Sequence, residues 1–73
     1  MTLRKSGNSI GVRVNNLRLD HNDSVRELAD YLKTSIKVVY NIESDLSKPN
    51  AEQSLLICKK YKVSIEYLLY GSK

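Results

Sequence analysis

The chain has 73 residues, with 12 lysines and arginines against 8 aspartates and glutamates, for a formal charge of +4. This length makes a single small domain, and no apolar run approaches the roughly 18 residues of a membrane span, so we expect a cytoplasmic protein without a signal peptide. One cysteine excludes an internal disulfide, and with a single histidine it excludes a zinc site. The charge permits a polyanionic partner without establishing one.

Residues 1–8 show no helical period and predict a flexible basic arm, with Arg4 and Lys5 as its cations. A domain is expected over residues 9–70. Its first helix is predicted over 9–21, because apolar residues recur there at helical spacing. Ile10, Val14 and Leu17 form the core face, while Val12 and Leu19 fall opposite and are expected on the surface.

The second helix is predicted over 24–32. Ser24 precedes it and Glu27 follows three residues later, which is the pattern of a capping box. Leu28 and Leu32 point inward, and the small side chain of Ala29 lets a neighbouring helix cross closely. We therefore expect a short break and then a second crossing helix, a helix-turn-helix.

That third helix is predicted over 35–43. Val39 and Ile42 lie three residues apart and face the core, which leaves the opposite side of the helix to solvent or to a partner. The outward residues include Lys37, Tyr40 and Asn41.

Two further helices follow a loop over 44–50, where Pro49 delays the next helix start. One is predicted over 50–61 and the other over 64–69. The expected core residues of the two helices are Ala51, Leu55, Cys58, Tyr61, Ile65, Leu68 and Leu69. The pattern as a whole predicts an all-α, compact five-helix bundle.

In order and spacing these residues resemble the Cro/C1-type, or XRE-like, helix-turn-helix regulators of phages and bacteria. The likeness rests on Leu28-Ala29, on Val39, Ile42 and Glu43, on Pro49, and on the closing Lys-Val-Ser-Ile-Glu-Tyr-Leu-Leu. It implies a lambda-repressor-like domain. It also implies that Arg18 pairs with Glu43, with Ala29, Val39 and Ile42 as the other structural residues.

The resemblance further implies that the third helix enters the major groove of double-stranded DNA. Lys37 would then donate to guanine, Asn41 would pair with adenine, and Ile36 would contact a thymine methyl. The DNA- or partner-binding residues implied in this way are Ile36, Lys37, Val38, Tyr40 and Asn41. Phosphate contacts are implied at Val25, Lys33, Ser35, Ser47, Lys48 and Asn50.

Several positions depart from the family pattern. Val25 replaces a phosphate-binding glutamine, Lys33 replaces a turn glycine, and Asp45 adds a negative charge near the expected phosphates. Ile36 and Val38 are apolar where polar readers are common. These departures suit a helix that binds a protein.

Two functions are therefore weighed. The first is a transcriptional regulator in a phage or bacterial genetic switch, which binds operator DNA as a weak homodimer. The alternative is an antirepressor, or modulator, that docks the same face on a partner repressor and blocks its DNA binding.

Two other classes receive less support. The start of the chain, residues 4–14, also looks like a swapped-hairpin antitoxin domain, but the helical period offers none of the strands that such a fold needs. Antitoxins also use the helix-turn-helix fold, so membership in a toxin–antitoxin pair is a further alternative. An enzyme is disfavoured, because the sequence has no paired carboxylates, no activated nucleophile and no glycine-rich phosphate loop, and no cofactor is expected.

Overall fold

A computed structural model of the protein describes residues 7–71, and the regular structure within them is entirely helical. The five helices are α1 (Ile10–Asp20), α2 (Val25–Leu32), α3 (Ile36–Glu43), α4 (Ala51–Tyr61) and α5 (Ile65–Tyr70). The predicted all-α, five-helix fold class is confirmed. Arg4 and Lys5 of the predicted arm lie outside the described residues. In the described range, no helix has the length and apolar character needed to cross a membrane.

Every helix begins directly after a residue whose side-chain oxygen accepts a hydrogen bond from a backbone N–H of the first turn. In α2 and α4 the bond is reciprocal, because Glu27 accepts from the N–H of Ser24 and Gln53 accepts from that of Asn50. Such bonds satisfy N–H groups that have no partner within the helix. The five capping residues are Ser9, Ser24, Ser35, Asn50 and Ser64.

The core lies where the helices meet, and each helix contributes to it. α3 packs against both α1 and α2, and α5 packs against α1 and α4. Full burial of an aliphatic side chain of this size stabilises a fold by roughly 1.5–3 kcal/mol. The largest fully buried side chains are those of Val14, Leu28, Val39, Ile42, Ile57 and Leu68.

Helix α1 is buried over more of its circumference than its apolar pattern predicts. Val12 is 8 % exposed and Leu19 is half-buried, so the expectation that both lie on the surface is wrong. Arg13 on the same helix is also buried, and its guanidinium donates to the backbone oxygens of Leu68 and Leu69 at 2.8 and 3.1 Å. These bonds satisfy carbonyls at the end of α5 and hold that helix against α1.

Helix α4 turns a different face to the core from the one predicted. Its buried residues are Ser54, Ile57 and Tyr61, whereas Leu55 is 62 % exposed. Ser54 is small enough to pack closely in the core, but a count of apolar residues overlooks it. The buried face of α4 is therefore rotated about the helix axis relative to the predicted face. Of the predicted core residues Ala51, Leu55, Cys58 and Tyr61, only Tyr61 is buried; Cys58 is half-buried, and Ala51 and Leu55 are exposed.

Gly11 allows α1 and α3 to pack almost backbone to backbone. A Cβ atom at Gly11 would lie 2.5 Å from the carbonyl oxygen of Ile42 and 2.7 Å from that of Glu43. Both oxygens belong to the C-terminal turn of α3, so they cannot move aside as the end of a flexible side chain can. Any larger residue must push the two helices apart.

Gly11→Ala should therefore destabilise the protein, although alanine has the better helix propensity by about 1 kcal/mol. Overpacking of this kind costs about 1–3 kcal/mol or more, and each kcal/mol lowers Tm by about 4–8 °C in a domain of this size. Thermal unfolding followed by circular dichroism measures the change. Lys59→Ala, at an exposed position of α4, is the control and should have little effect. A higher Tm for Gly11→Ala would contradict the close contact.

The orientation of α4 can be tested with a matched pair of truncations. Ile57→Ala should cost about 2–5 kcal/mol of unfolding free energy because it opens a cavity in the core. Leu55→Ala removes a similar apolar side chain from the surface and should change stability by no more than about 0.5 kcal/mol. Urea denaturation of both variants makes the comparison, and equal losses would show that the assigned face is wrong.

Candidate functional site

Helix α3 is anchored from one side only. Val39 is fully buried and Ile42 is 2 % exposed, so both lie in the core. The hydroxyl oxygen of Ser35 accepts from the N–H of Val38 at 3.3 Å and caps the start of the helix. The arrangement leaves the opposite side of α3 free of core contacts.

The outward face of α3 carries polar and aromatic side chains. Lys37 is exposed, Tyr40 is 56 % exposed and Asn41 is half-buried. Residues 37, 40 and 41 are three and four positions apart, so they are neighbours on the helix surface. Ile36 and Val38 are half-buried and pack against the core cluster, so each offers only part of its surface to a partner.

The turn between α2 and α3 is tight and has no glycine. Lys33 ends α2 in the left-handed conformation, with φ 58°, and the N–H of Thr34 donates to the oxygen of Ala29 at 2.9 Å. This conformation costs a residue with a side chain about 1 kcal/mol. Ala29 is 2 % exposed beneath the turn, and Lys33 is exposed above it.

A buried ion pair ties the end of α3 to α1. Arg18 donates through Nε to Oε2 of Glu43 at 2.7 Å and through Nη2 to Oε1 at 3.1 Å. Asn15 donates to the same Oε1 at 2.8 Å. The bond to Glu43 raises the pKa of the Arg18 guanidinium above its usual value, and this effect outweighs the burial that would lower it. The pair implied by the family resemblance therefore forms, with Asn15 as a third member that the sequence did not indicate.

The first turn of α2 differs from a simple phosphate-binding helix start. The side chain of Val25 is half-buried against the core, so only its backbone N–H is available to a phosphate. The carboxylate of Glu27 occupies the N–H of Ser24 at 2.7 Å and adds a negative charge. Arg26 is exposed beside Val25 and is a cation that the sequence-based prediction did not include, although a basic residue in the first turn was visible in the sequence.

The loop between α3 and α4 presents the remaining predicted phosphate contacts. Ser47 and Lys48 are exposed, as is Ser35 at the start of α3. Asn50 is exposed but its Oδ1 accepts from the N–H of Gln53 at 2.7 Å, so only its amide nitrogen is left for a phosphate. The carboxylate of Asp45 accepts from the N–H of Gly11 at 2.9 Å, so it is bonded to the start of α1. The negative charge that Asp45 is expected to add near the phosphates stays a prediction.

Comparison with known proteins agrees with this arrangement. A family model described as helix-turn-helix matches residues 14–68. No curated protein sequence matches the chain significantly. Among solved structures, the chain is similar to the P22 c2 repressor protein in complex with the synthetic operator 9T in the presence of Tl+. The TM-score is 0.84 and the sequence identity is 24 %, and the match covers 90 % of this chain and 100 % of the repressor chain. At this identity the likeness concerns the fold.

The buried pair gives a sharp test of how α1 holds α3. Glu43→Met leaves Arg18 buried without its acceptor and should cost about 3–5 kcal/mol of unfolding free energy. The double variant Arg18→Met/Glu43→Met removes both charges and should recover part of that loss, because apolar pairs of similar volume replace buried ion pairs well. Recovery should be incomplete, because the buried amide of Asn15 then lacks its acceptor. Urea denaturation completes the double-mutant cycle. Simply additive losses would mean that the two side chains are not coupled.

Proposed function

Because this chain belongs to the helix-turn-helix family of Cro/C1-type regulators, we propose that it controls transcription by binding operator DNA through the outward face of α3. The family comprises DNA-binding regulators and not enzymes. The observation that carries the proposal is the one-sided anchoring of α3. Val39 and Ile42 fill the core, and the side of the helix that bears Lys37 and Tyr40 is left exposed.

The outward side chains of α3 have the chemistry needed to read base edges. A lysine such as Lys37 donates to guanine O6 and N7, and an asparagine such as Asn41 pairs with adenine N6 and N7. Tyr40 adds a ring and a hydroxyl on the same face. Ile36 and Val38, being half-buried, contribute at most an apolar edge to a thymine methyl.

Phosphate contacts would position α3 without reading sequence. Exposed Ser47 and Lys48 supply a hydroxyl and a charge on the loop after α3, and Lys33 and Ser35 do the same on the turn before it. Arg26 is a further candidate at the start of α2. Cations and hydroxyls therefore lie along the chain on either side of the helix that would read the bases.

The regulator we propose acts in a genetic switch of the phage or bacterial kind. Two copies bound to a pseudo-palindromic operator would place their α3 helices about 34 Å apart, one turn of DNA.

The antirepressor function is the second candidate, and one observation favours it. Leu46 is 78 % exposed on the loop after α3, and Tyr40 is 56 % exposed on the helix itself. An exposed apolar pair near the end of α3 is the kind of surface that a partner repressor would cover. The half-burial of Ile36 and Val38 weakens this case, because both were predicted to offer their apolar side chains to a partner.

DNA binding is tested with duplexes selected by the wild-type protein from a random-sequence pool, by fluorescence anisotropy at about 50–200 mM salt. Lys37→Ala and Asn41→Ala should each relax preference at one base pair by about 1–3 kcal/mol. Lys48→Ala should weaken binding to all sequences alike and reduce the slope of log K against log salt by about one. Lys59→Ala, on α4, serves as the charge-matched control.

Selection that enriches no sequence, or a binding constant insensitive to salt, would argue against an operator-binding protein. In that case Tyr40→Ala and Leu46→Ala become the informative variants. They should abolish binding to a purified repressor from the same genome if the antirepressor function holds. Leu55→Ala, at a site on α4 whose exposure lies between those of Tyr40 and Leu46, should not.

A further inference from the structure

The loop that joins α3 to α4 is fastened to the start of α1 by one side chain, that of Asp45. Its Oδ1 accepts from the N–H of Gly11 at 2.9 Å, and its Oδ2 accepts from the hydroxyl of Ser9 at 2.6 Å. The Ser9 oxygen in turn accepts from the N–H of Val12 at 3.1 Å, which is the N-cap bond of α1. Asp45 thus bonds to the first turn of α1, more than 30 residues earlier in the chain.

The same loop is held at two other points. The N–H groups of Leu46 and Ser47 both donate to the backbone oxygen of Asn41, at 2.9 and 3.2 Å, which folds the loop back on the end of α3. At its far end Asn50 caps α4. Asp45 adopts the left-handed conformation, with φ 62°, and this bend sends its side chain toward α1. Ser47 and Lys48 lie between these anchors and remain exposed.

A carboxylate in this loop has the wrong charge for a DNA-binding surface. Placed near phosphates, it should weaken binding by simple repulsion. Here, however, the carboxylate accepts bonds at the N-terminus of α1, where backbone N–H groups and the helix dipole favour a negative charge. The charge is therefore partly compensated within the protein, and its cost to DNA binding is reduced.

We propose that Asp45 is a positioning residue for DNA binding: by fastening the loop to α1 it fixes where Ser47 and Lys48 meet the DNA backbone, without contacting DNA itself. The inference rests on the proposed function. It makes a prediction opposite in sign to that of electrostatics alone, since loss of this negative charge should then weaken binding to DNA.

Two variants of Asp45 separate anchoring from charge. Asp45→Asn keeps the bond from Gly11 and can donate its amide to the Ser9 hydroxyl, so it removes the charge and retains the anchor. Asp45→Ala removes both. Glu66→Ala, at an exposed position on α5, is the matched control for loss of one negative charge.

Binding to a duplex selected by the wild-type protein, and to a scrambled duplex of equal composition, is measured by anisotropy at two salt concentrations. Asp45→Ala should bind the selected duplex about fivefold to tenfold more weakly than wild type, the effect expected for loss of a capping-type interaction. Asp45→Asn should bind as tightly as wild type or about twofold to fivefold more tightly, with the gain shrinking at high salt. Circular dichroism melts confirm that each variant is folded at the measuring temperature.

Ser9→Ala, which removes one of the two bonds, should lie between wild type and Asp45→Ala. Wild-type affinity for Asp45→Ala, or equal weakening by the alanine and asparagine variants, would overturn the positioning role while leaving the proposed function intact. Failure of the wild-type protein to prefer the selected duplex would instead overturn the proposed function, and the role of Asp45 in DNA binding would fall with it.

Discussion

The packing of α3 against α1 is centred on one buried carboxylate, that of Glu43, which is 3 % exposed and accepts hydrogen bonds from Arg18 and Asn15 on α1. A carboxylate removed from water costs several kcal/mol unless donors replace the lost hydration. Helices α1 and α3 are therefore restricted to a register that brings both donors to Glu43. Gly11 sets how closely α1 and α3 approach each other, because the carbonyl oxygens at the end of α3 leave no room for a side chain at this position.

Such a constraint on register has a direct bearing on molecular recognition. A helix that is free to rotate about its axis must be ordered when it meets a partner, and that ordering reduces affinity. Val39, Ile42 and Glu43 are all turned inward, so the fold itself directs the Lys37 face of α3 outward. A partner that bound this face would find it already ordered. The bond from Asp45 to α1 extends the same preorganisation to the neighbouring loop.

How much of this arrangement was predictable depends on how far apart in the chain the interacting groups lie. Capping by Ser24 is a local signal, so the helix starts could be predicted to within about a residue. The partner of Arg18 came from family resemblance, because nothing local points to it. Gly11 and Asp45 could not be assigned, since their roles arise only when α3 and its loop meet α1.

On α4 the predicted inward face was wrong because a small polar residue, Ser54, holds a core position that the periodicity of apolar residues does not detect. The assignment of base and phosphate contacts stays a prediction.

Two helix ends show how the surface of this domain can vary independently of its stability. Lys33 and Lys62 both close their helices in the left-handed conformation, with φ 58° and 57°. Glycine at either position would relieve a backbone strain of about 1 kcal/mol in the folded state. It would also raise the conformational entropy of the unfolded chain, which lowers the free energy of unfolding by a comparable amount. The two effects nearly cancel, so lysine and glycine are close to equivalent there for folding. Evolution can therefore add or withdraw a positive charge at these bends with little thermodynamic penalty.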